Sequence, residues 1–167
     1  MSRAAIGIGA NLGDREATIR ESIARIAGLG VIGAVSSLYE TAPWGKTDQP
    51  AFINAAVVLE TDLDPRALLD ALLAIERGLG RDRSSEERWG PRTIDLDILL
   101  YDDRIDDGDP TLPHPRLHER AFALVPLAEI APELVHPLLR MRIGDLARRV
   151  DATGVRRLGE GQPHSGQ

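Results

Sequence analysis

No cysteine occurs in the 167 residues. Disulfide bridges and thiolate metal centres are therefore excluded. Aromatic residues make up only 4% of the chain, so a pocket built on aromatic faces has few side chains to draw on. No apolar run approaches the roughly 18 residues that span a bilayer. The opening "MSRAAIGIGANLGDR" lacks the long apolar stretch and cleavage pattern of a signal peptide. A cytoplasmic protein without a membrane partner is the expectation. Excess positive charge is also missing. The net charge is −6, whereas a general nucleic-acid binder is more often basic. Lysine occurs once, and the other 19 of the 20 basic residues are arginine. No internal repeat and no linker divides the chain. One domain over residues 1–160 is expected, with 161–167, "GQPHSGQ", as a disordered tail.

What is present suffices for a core: 43% of residues are hydrophobic and 28% charged. Residues 4–9, "AAIGIG", read as a short buried strand, and "NLGD" as a turn, because Asn and Gly tolerate positive φ. Asp14 can cap a helix to about Ala27, with Ile19, Ile23 and Ile26 on one face and Gly28 and Gly30 ending it. Residues 31–40 suggest a second strand, "TAPWGKTDQP" a loop, and "AFINAAVVLET" a third strand. Asp64-Pro65 opens a helix whose apolar face carries Leu68, Leu69, Leu72, Leu73 and Ile75 as far as Gly78 and Gly80. A charged loop over 81–91 leads to a fourth strand at 92–101, then to helices near 118–130 and 143–150. The order β-α-β-β-α-β with additional C-terminal helices predicts an α+β, ferredoxin-like antiparallel sheet with helices on one face.

Within "RWGPRTIDLDILLYD" the period of two puts Ile94, Leu96, Ile98 and Leu100 on one face and Asp95 and Asp97 on the other. Same-face neighbours lie about 6.6 Å apart along a strand. Two carboxylates at that spacing can converge on Mg²⁺, which takes one or two carboxylates plus substrate phosphates. A solvated face carrying two acids is the alternative. The segment just before is rich in arginine: Arg77, Arg81, Arg83, Arg88 and Arg92. Glu76, Asp82, Glu86 and Glu87 are interleaved, so a salt-bridged solvated loop competes with a phosphate clamp. Regular alternation puts Arg92 opposite the aspartates unless a twist or bulge follows Pro91. With Ser84 and Ser85 and little that packs, the arginine loop is expected to be mobile and able to close over phosphates.

Taken together, the segments resemble the 6-hydroxymethyl-7,8-dihydropterin pyrophosphokinase family over nearly the whole chain. The resemblance rests on R-W-G-P-R-x-x-D-L-D-I-L, "GANLGDR" at 9–15, "SSLYETAPWG" at 36–45, "QPAFINAAVVLET" at 49–61, "IERGLGRDR" at 75–83, "LPHPRLHERAF" at 112–122 and "PLAEIAPELVHP" at 126–137. It implies transfer of the β,γ-diphosphate of ATP to a pterin hydroxymethyl group with release of AMP. It also implies two Mg²⁺ ions held by Asp95 and Asp97. Arg81 and Arg92 would be catalytic with those acids. Arg83, Arg88, Trp89, Ile98, Thr111, His114 and Arg120 would complete the ATP site. Thr41, Ala42, Trp44, Phe52, Asn54, Asp95 and Phe122 would form the pterin site, the two phenylalanines sandwiching the ring and Asn54 reading its edge. Phe52 and Asn54 share a strand face by period two. Leu73 and Pro115 depart from members that carry a polar residue and a tyrosine there, and the stretch from Arg83 to Trp89 is about one residue longer than in some relatives. Asn11 and Gly13 are read as turn-shaping, and His118 and His136 as structural or exposed. No general base is named, because positioning and charge carry most of the rate in phosphoryl transfer. The protein is expected to be a monomer acting on small molecules, with no nucleic-acid partner. A nucleotide-sensing module without turnover and a two-metal nuclease are the competing readings.

Overall fold

The computed structural model describes residues 1–11, 13–41, 51–80 and 94–159. Of the loop expected at 41–50, Thr41 is described, in a strand, and 42–50 lie outside the described residues, as do the arginine loop at 81–91 and the tail at 161–167. So do Ala42, Trp44, Arg81, Arg83, Arg88, Trp89 and Arg92.

Strand β1 is Ser2–Ala10 and helix α1 is Arg15–Ile26. Asp14 caps α1 as its composition predicts, accepting from the Ala17 N–H at 3.1 Å. Gly13 turns the chain just before it at φ 62°, a conformation glycine adopts without cost. Strand β4, Phe52–Thr61, is the centre of the sheet, and helix α2, Pro65–Gly78, follows it. Asp64 accepts from the Ala67 N–H at 2.8 Å, and Pro65 supplies a preset first-turn φ. Strand β5 is Asp95–Tyr101, and helices α3, Ala121–Ile130, and α4, Ile143–Arg149, follow.

The strand expected over 31–40 is two: β2, Val31–Val35, and β3, Tyr39–Thr41, both antiparallel to β4. The break is chemical. The Ser36 hydroxyl accepts from the Ala56 N–H at 2.9 Å, in place of a backbone carbonyl. Ser37 then leaves the sheet, because its N–H and hydroxyl both donate to Glu129 of α3 at 2.9 Å. Three short strands escape the sequence pattern: β6, Val135–His136, β7, Met141–Arg142, and β8, Val155–Arg157. Runs of two or three residues are too short to carry a period. Among the described residues the main sheet runs β5-β1-β4-β3-β8, with β2 also on β4.

Helices cover both faces rather than one. Ile6, Ile8, Ile53, Val57 and Leu59 face α1 and α2, meeting Ile19, Ile26, Leu68 and Leu72. Ala5, Ala56, Val58 and Leu100 face α3 and α4, meeting Leu117, Leu124, Leu127 and Ile143. The C-terminal helices thus form a second layer. Each fully buried leucine or isoleucine contributes about 1.5–3 kcal/mol. Among the described residues no helix is long and apolar enough to cross a membrane.

His136 anchors the β6–β7 hairpin. It is 3% exposed, and its Nδ1 accepts from the Leu139 N–H at 3.1 Å. Burial holds its pKa below the ordinary value of 6.5, and His118 alongside adds to the effect. The unfolded chain therefore binds this proton first, so the stability His136 contributes is present above about pH 6.5 and is lost as pH falls toward the folded-state pKa. In thermal melts between pH 7 and 5, His136→Gln is expected to lose less stability on acidification than the wild type. Parallel Tm curves would refute that assignment.

Candidate active site

The register places the acids. In β1, Gly7 pairs with Asp97 and Gly9 with Asp95, while Gly9 also pairs with Asn54 on β4. Both acids are half-buried and point to the α3 side of the sheet. Between them and Asn54 the strand β1 contributes no side chain of its own, because Gly7 and Gly9 have none, and neighbouring side chains move in: Leu99 over Gly7, Asn54 and Phe52 against Gly9. Alternating glycines in the middle of a strand weaken it, and they mark a place where something approaches the backbone.

The alternation expected along 94–101 holds only to Ile98. The β1–β5 register shifts between Ala5 and Ile6, so that Ile6 meets Ile98 but Ala5 meets Leu100. Leu99 is the extra, bulged residue. Leu100 consequently joins the face of the aspartates, not that of Ile94, Leu96 and Ile98, and Tyr101 returns to the latter. The Leu99 side chain swings over Gly7, where an added Cβ would sit 3.3 Å from it.

Beside Asp97 lies a cavity of about 380 Å³. Its walls are Leu69 and Leu73 from α2, Leu96, Asp97 and Ile98 from β5, and Asp109, Pro110, Thr111, His114 and Pro115 from the turn that follows. The structure therefore gathers Asp97, Ile98, Thr111 and His114 round one space, together with Leu73 and Pro115, the two departures. The Thr111 hydroxyl donates to the Gly108 carbonyl at 2.8 Å. The His114 N–H donates to the Leu99 carbonyl at 3.0 Å, which seats it on the bulge. Burial, then Arg120 and Arg116, lower its pKa to about 4, against an opposing pull from Asp95. At neutral pH His114 is uncharged. Its Nδ1 accepts from the Arg116 N–H at 3.2 Å, so the ring proton is on Nε2 and available to donate.

On the other side of the glycine strip, Asn54 is 6% exposed, and its Oδ1 accepts from the Thr41 hydroxyl at 2.7 Å. A Cβ on Gly9 would stand 2.9 Å from Asn54 Nδ2 and 3.9 Å from the Phe52 ring, so Phe52 and Asn54 do share that face. Phe122 packs on the same side at the start of α3, with the Arg120 guanidinium 5.5 Å from its ring centroid. Asn11 is fully buried where β1 ends, and His118 is exposed.

Three contributors escape sequence reasoning. Gly7 and Gly9 space the acids from Asn54, and the "GIG" alternation was their signal. Arg15 donates to the Ala51 carbonyl at 2.6 Å and lies 3.8 Å from Glu40, tying together the strands that carry Thr41 and Phe52. Glu76 is not part of a solvated charged loop: it is 1% exposed on α2 and accepts from the Leu96 N–H at 2.8 Å. Its position four after Leu72, on the apolar stripe, was the signal.

Residues 5–132 match the family 7,8-dihydro-6-hydroxymethylpterin-pyrophosphokinase (HPPK). A Methylorubrum extorquens protein named 2-amino-4-hydroxy-6-hydroxymethyldihydropteridine pyrophosphokinase is 44% identical over 162 residues, covering 95% of this chain and 99% of its own. A Bacillus subtilis protein of the same name is 46% identical over 132 residues, covering 77% of this chain and 78% of its own. Among solved structures, wild-type HPPK-DHPS of Plasmodium falciparum with pteroate superposes with a TM-score of 0.69 at 20% identity. It covers 88% of this chain, which spans only 42% of that longer one, and it speaks to the fold alone. The chain belongs to the 6-hydroxymethyl-7,8-dihydropterin pyrophosphokinase family, whose reaction serves folate biosynthesis.

Proposed function

We propose that this chain, as a single domain over residues 1–160, moves the β,γ-diphosphate of ATP onto the hydroxymethyl oxygen of 6-hydroxymethyl-7,8-dihydropterin in a magnesium-dependent reaction, releasing AMP. One observation carries the reading. Two carboxylates and a buried amide stand on one sheet face, spaced by two glycines, and a cavity opens beside Asp97. A flat heterocycle can lie against Phe52 with Asn54 at its edge, while a triphosphate reaches Asp97 from the cavity.

Asp95 and Asp97 are hard oxygen donors of the kind Mg²⁺ prefers. Among the described residues no group of three or more His, Asp or Glu could hold a metal alone. Two carboxylates completed by phosphate oxygens and water fit that pattern. When bound, magnesium neutralises phosphate charge and aligns the attacking and leaving oxygens. His114, uncharged, offers Nε2–H to a phosphate oxygen without needing to give up a proton. Arg120, which acts electrostatically on His114, would meet the triphosphate, and Arg81, Arg83, Arg88 and Arg92 would supply further positive charge, with Trp89 at the nucleotide. Leu69, Leu73 and Pro115 give the adenine an apolar wall. Phe52 and Phe122 supply the faces, and Asn54, set by Thr41, supplies the edge for the pterin, with backbone near Ala42 and Trp44 completing it.

Incubation with ATP, Mg²⁺ and the hydroxymethyl dihydropterin is expected to give one AMP per pterin consumed, and no AMP when EDTA or omission of the pterin removes a component. AMP release independent of pterin, or diphosphate transfer unaffected by EDTA, would refute the reading.

A further inference from the structure

We infer that Glu76 is a positioning residue for the acidic pair: its buried carboxylate holds the amide between Asp95 and Asp97 and so fixes where both acids stand. The inference rests on the proposed role of those acids. Strand β5 lies at the edge of the main sheet. Its inner side is paired with β1 through Asp95–Gly9 and Asp97–Gly7. The Leu96 N–H is therefore turned outward, where among the described residues no strand follows. A buried amide left without an acceptor costs about 1–3 kcal/mol. Glu76 Oε2 meets that amide at 2.8 Å from a side chain that is 1% exposed.

The position also argues for a use beyond packing. Leu68, Leu72 and Ile75 form the apolar stripe of α2, and Glu76 continues it. An apolar residue there would pack without the cost of burying a carboxylate. The bond falls on the N–H of Leu96, the residue between the two acids, so a shift of Leu96 moves both side chains together. Further along β5, at the bulge, the Leu99 carbonyl is held by the His114 N–H at 3.0 Å. Both clamps on this edge thus come from residues that line or adjoin the site.

The test compares Glu76→Leu, which removes the acceptor at similar volume, with Glu76→Gln, which keeps an acceptor oxygen without the charge. Mn²⁺ serves as the spectroscopic probe, bound with a non-hydrolysable ATP analogue and read by electron paramagnetic resonance. Exchange of the Leu96 amide is read by NMR. Outer-shell partners of a metal site typically contribute 10–100-fold to its affinity. Glu76→Leu should weaken Mn²⁺ binding by roughly tenfold or more on that scale and expose the Leu96 amide, with the pterin KM within about twofold of wild type. Glu76→Gln should keep Leu96 protected and restore most of the Mn²⁺ affinity. A folded Glu76→Leu protein with wild-type Mn²⁺ binding overturns the inference. If Glu76→Leu fails to fold, Glu76→Gln decides, because lost Mn²⁺ binding with Leu96 still protected overturns it equally. Asp97→Ala, measured alongside, separates the two layers. If that variant also binds Mn²⁺ like wild type, the role of the acids themselves has failed. If only the Glu76 variants do, the positioning role alone has failed.

Discussion

Asp97→Ala is expected to lose pterin-dependent AMP release by about 10³-fold or more while keeping its fold. Removing a single preorganised transition-state contact typically costs 10²–10³ in kcat, and loss of the acid proposed to hold Mg²⁺ should cost at least as much. The stability change should be small. Asp97 is half-buried on an edge strand, outside both hydrophobic clusters. Exposed or half-exposed ion pairs contribute about 0–1 kcal/mol, so Tm should move by a few degrees at most. Asp97→Asn makes the test stricter, since it preserves shape and removes only charge. Both variants should lose activity alike, and added Mg²⁺ should rescue Asp97→Asn only in part. Turnover near the wild-type level in either variant would remove the acids from the chemistry. A large drop in Tm together with lost activity would point instead to a structural role for Asp97.

The element order, the two aspartate caps and the placement of Asp95 and Asp97 on one face could all be read from local pattern. Caps and periods are local, so neighbours in sequence determine them. What could not be read depends on contacts distant in sequence. The bulge at Leu99 exists because β5 must keep register with β1, and no feature of "DLDILLY" alone announces it. The split at Ser36 depends on Glu129, more than 90 residues away. The second helical layer depends on where α3 lands after the turn at 106–117. The site divides similarly. The acids, Asn54 and His114 stood out by type and by resemblance. Gly7 and Gly9 act by having no side chain, and Glu76 acts through a backbone amide, so residue type at those positions gave only a weak signal.

Gly9→Ala is the second large effect expected, and it probes the pterin side as Asp97 probes the phosphate side. The new methyl would stand 2.9 Å from Asn54 Nδ2, closer than real Cβ contacts occur. Asn54 cannot swing away freely, because Thr41 holds its Oδ1 at 2.7 Å and the side chain is buried. Breaking that bond leaves polar groups unpaired at about 1–3 kcal/mol, and an off-rotamer side chain costs about 0.5–1.5 kcal/mol. Replacing a strand glycine recovers about 0.5–1 kcal/mol of backbone entropy, so the fold should survive. The methyl would, however, displace the Asn54 amide proposed to read the pterin edge. The pterin KM should rise by roughly tenfold or more, since 1.4 kcal/mol of lost binding is already a factor of ten, while binding of an ATP analogue stays within about twofold. Gly7→Ala is the internal comparison. Its methyl would meet the flexible end of Leu99 at 3.3 Å, which can yield by a few tenths of an ångström. That variant should therefore change the pterin KM much less. If Gly9→Ala binds pterin like the wild type, or if both glycine variants are equally impaired, the heterocycle does not lie against Phe52 beside Asn54. The two halves of the site would then need to be separated, with the acids retained and the pterin placed elsewhere.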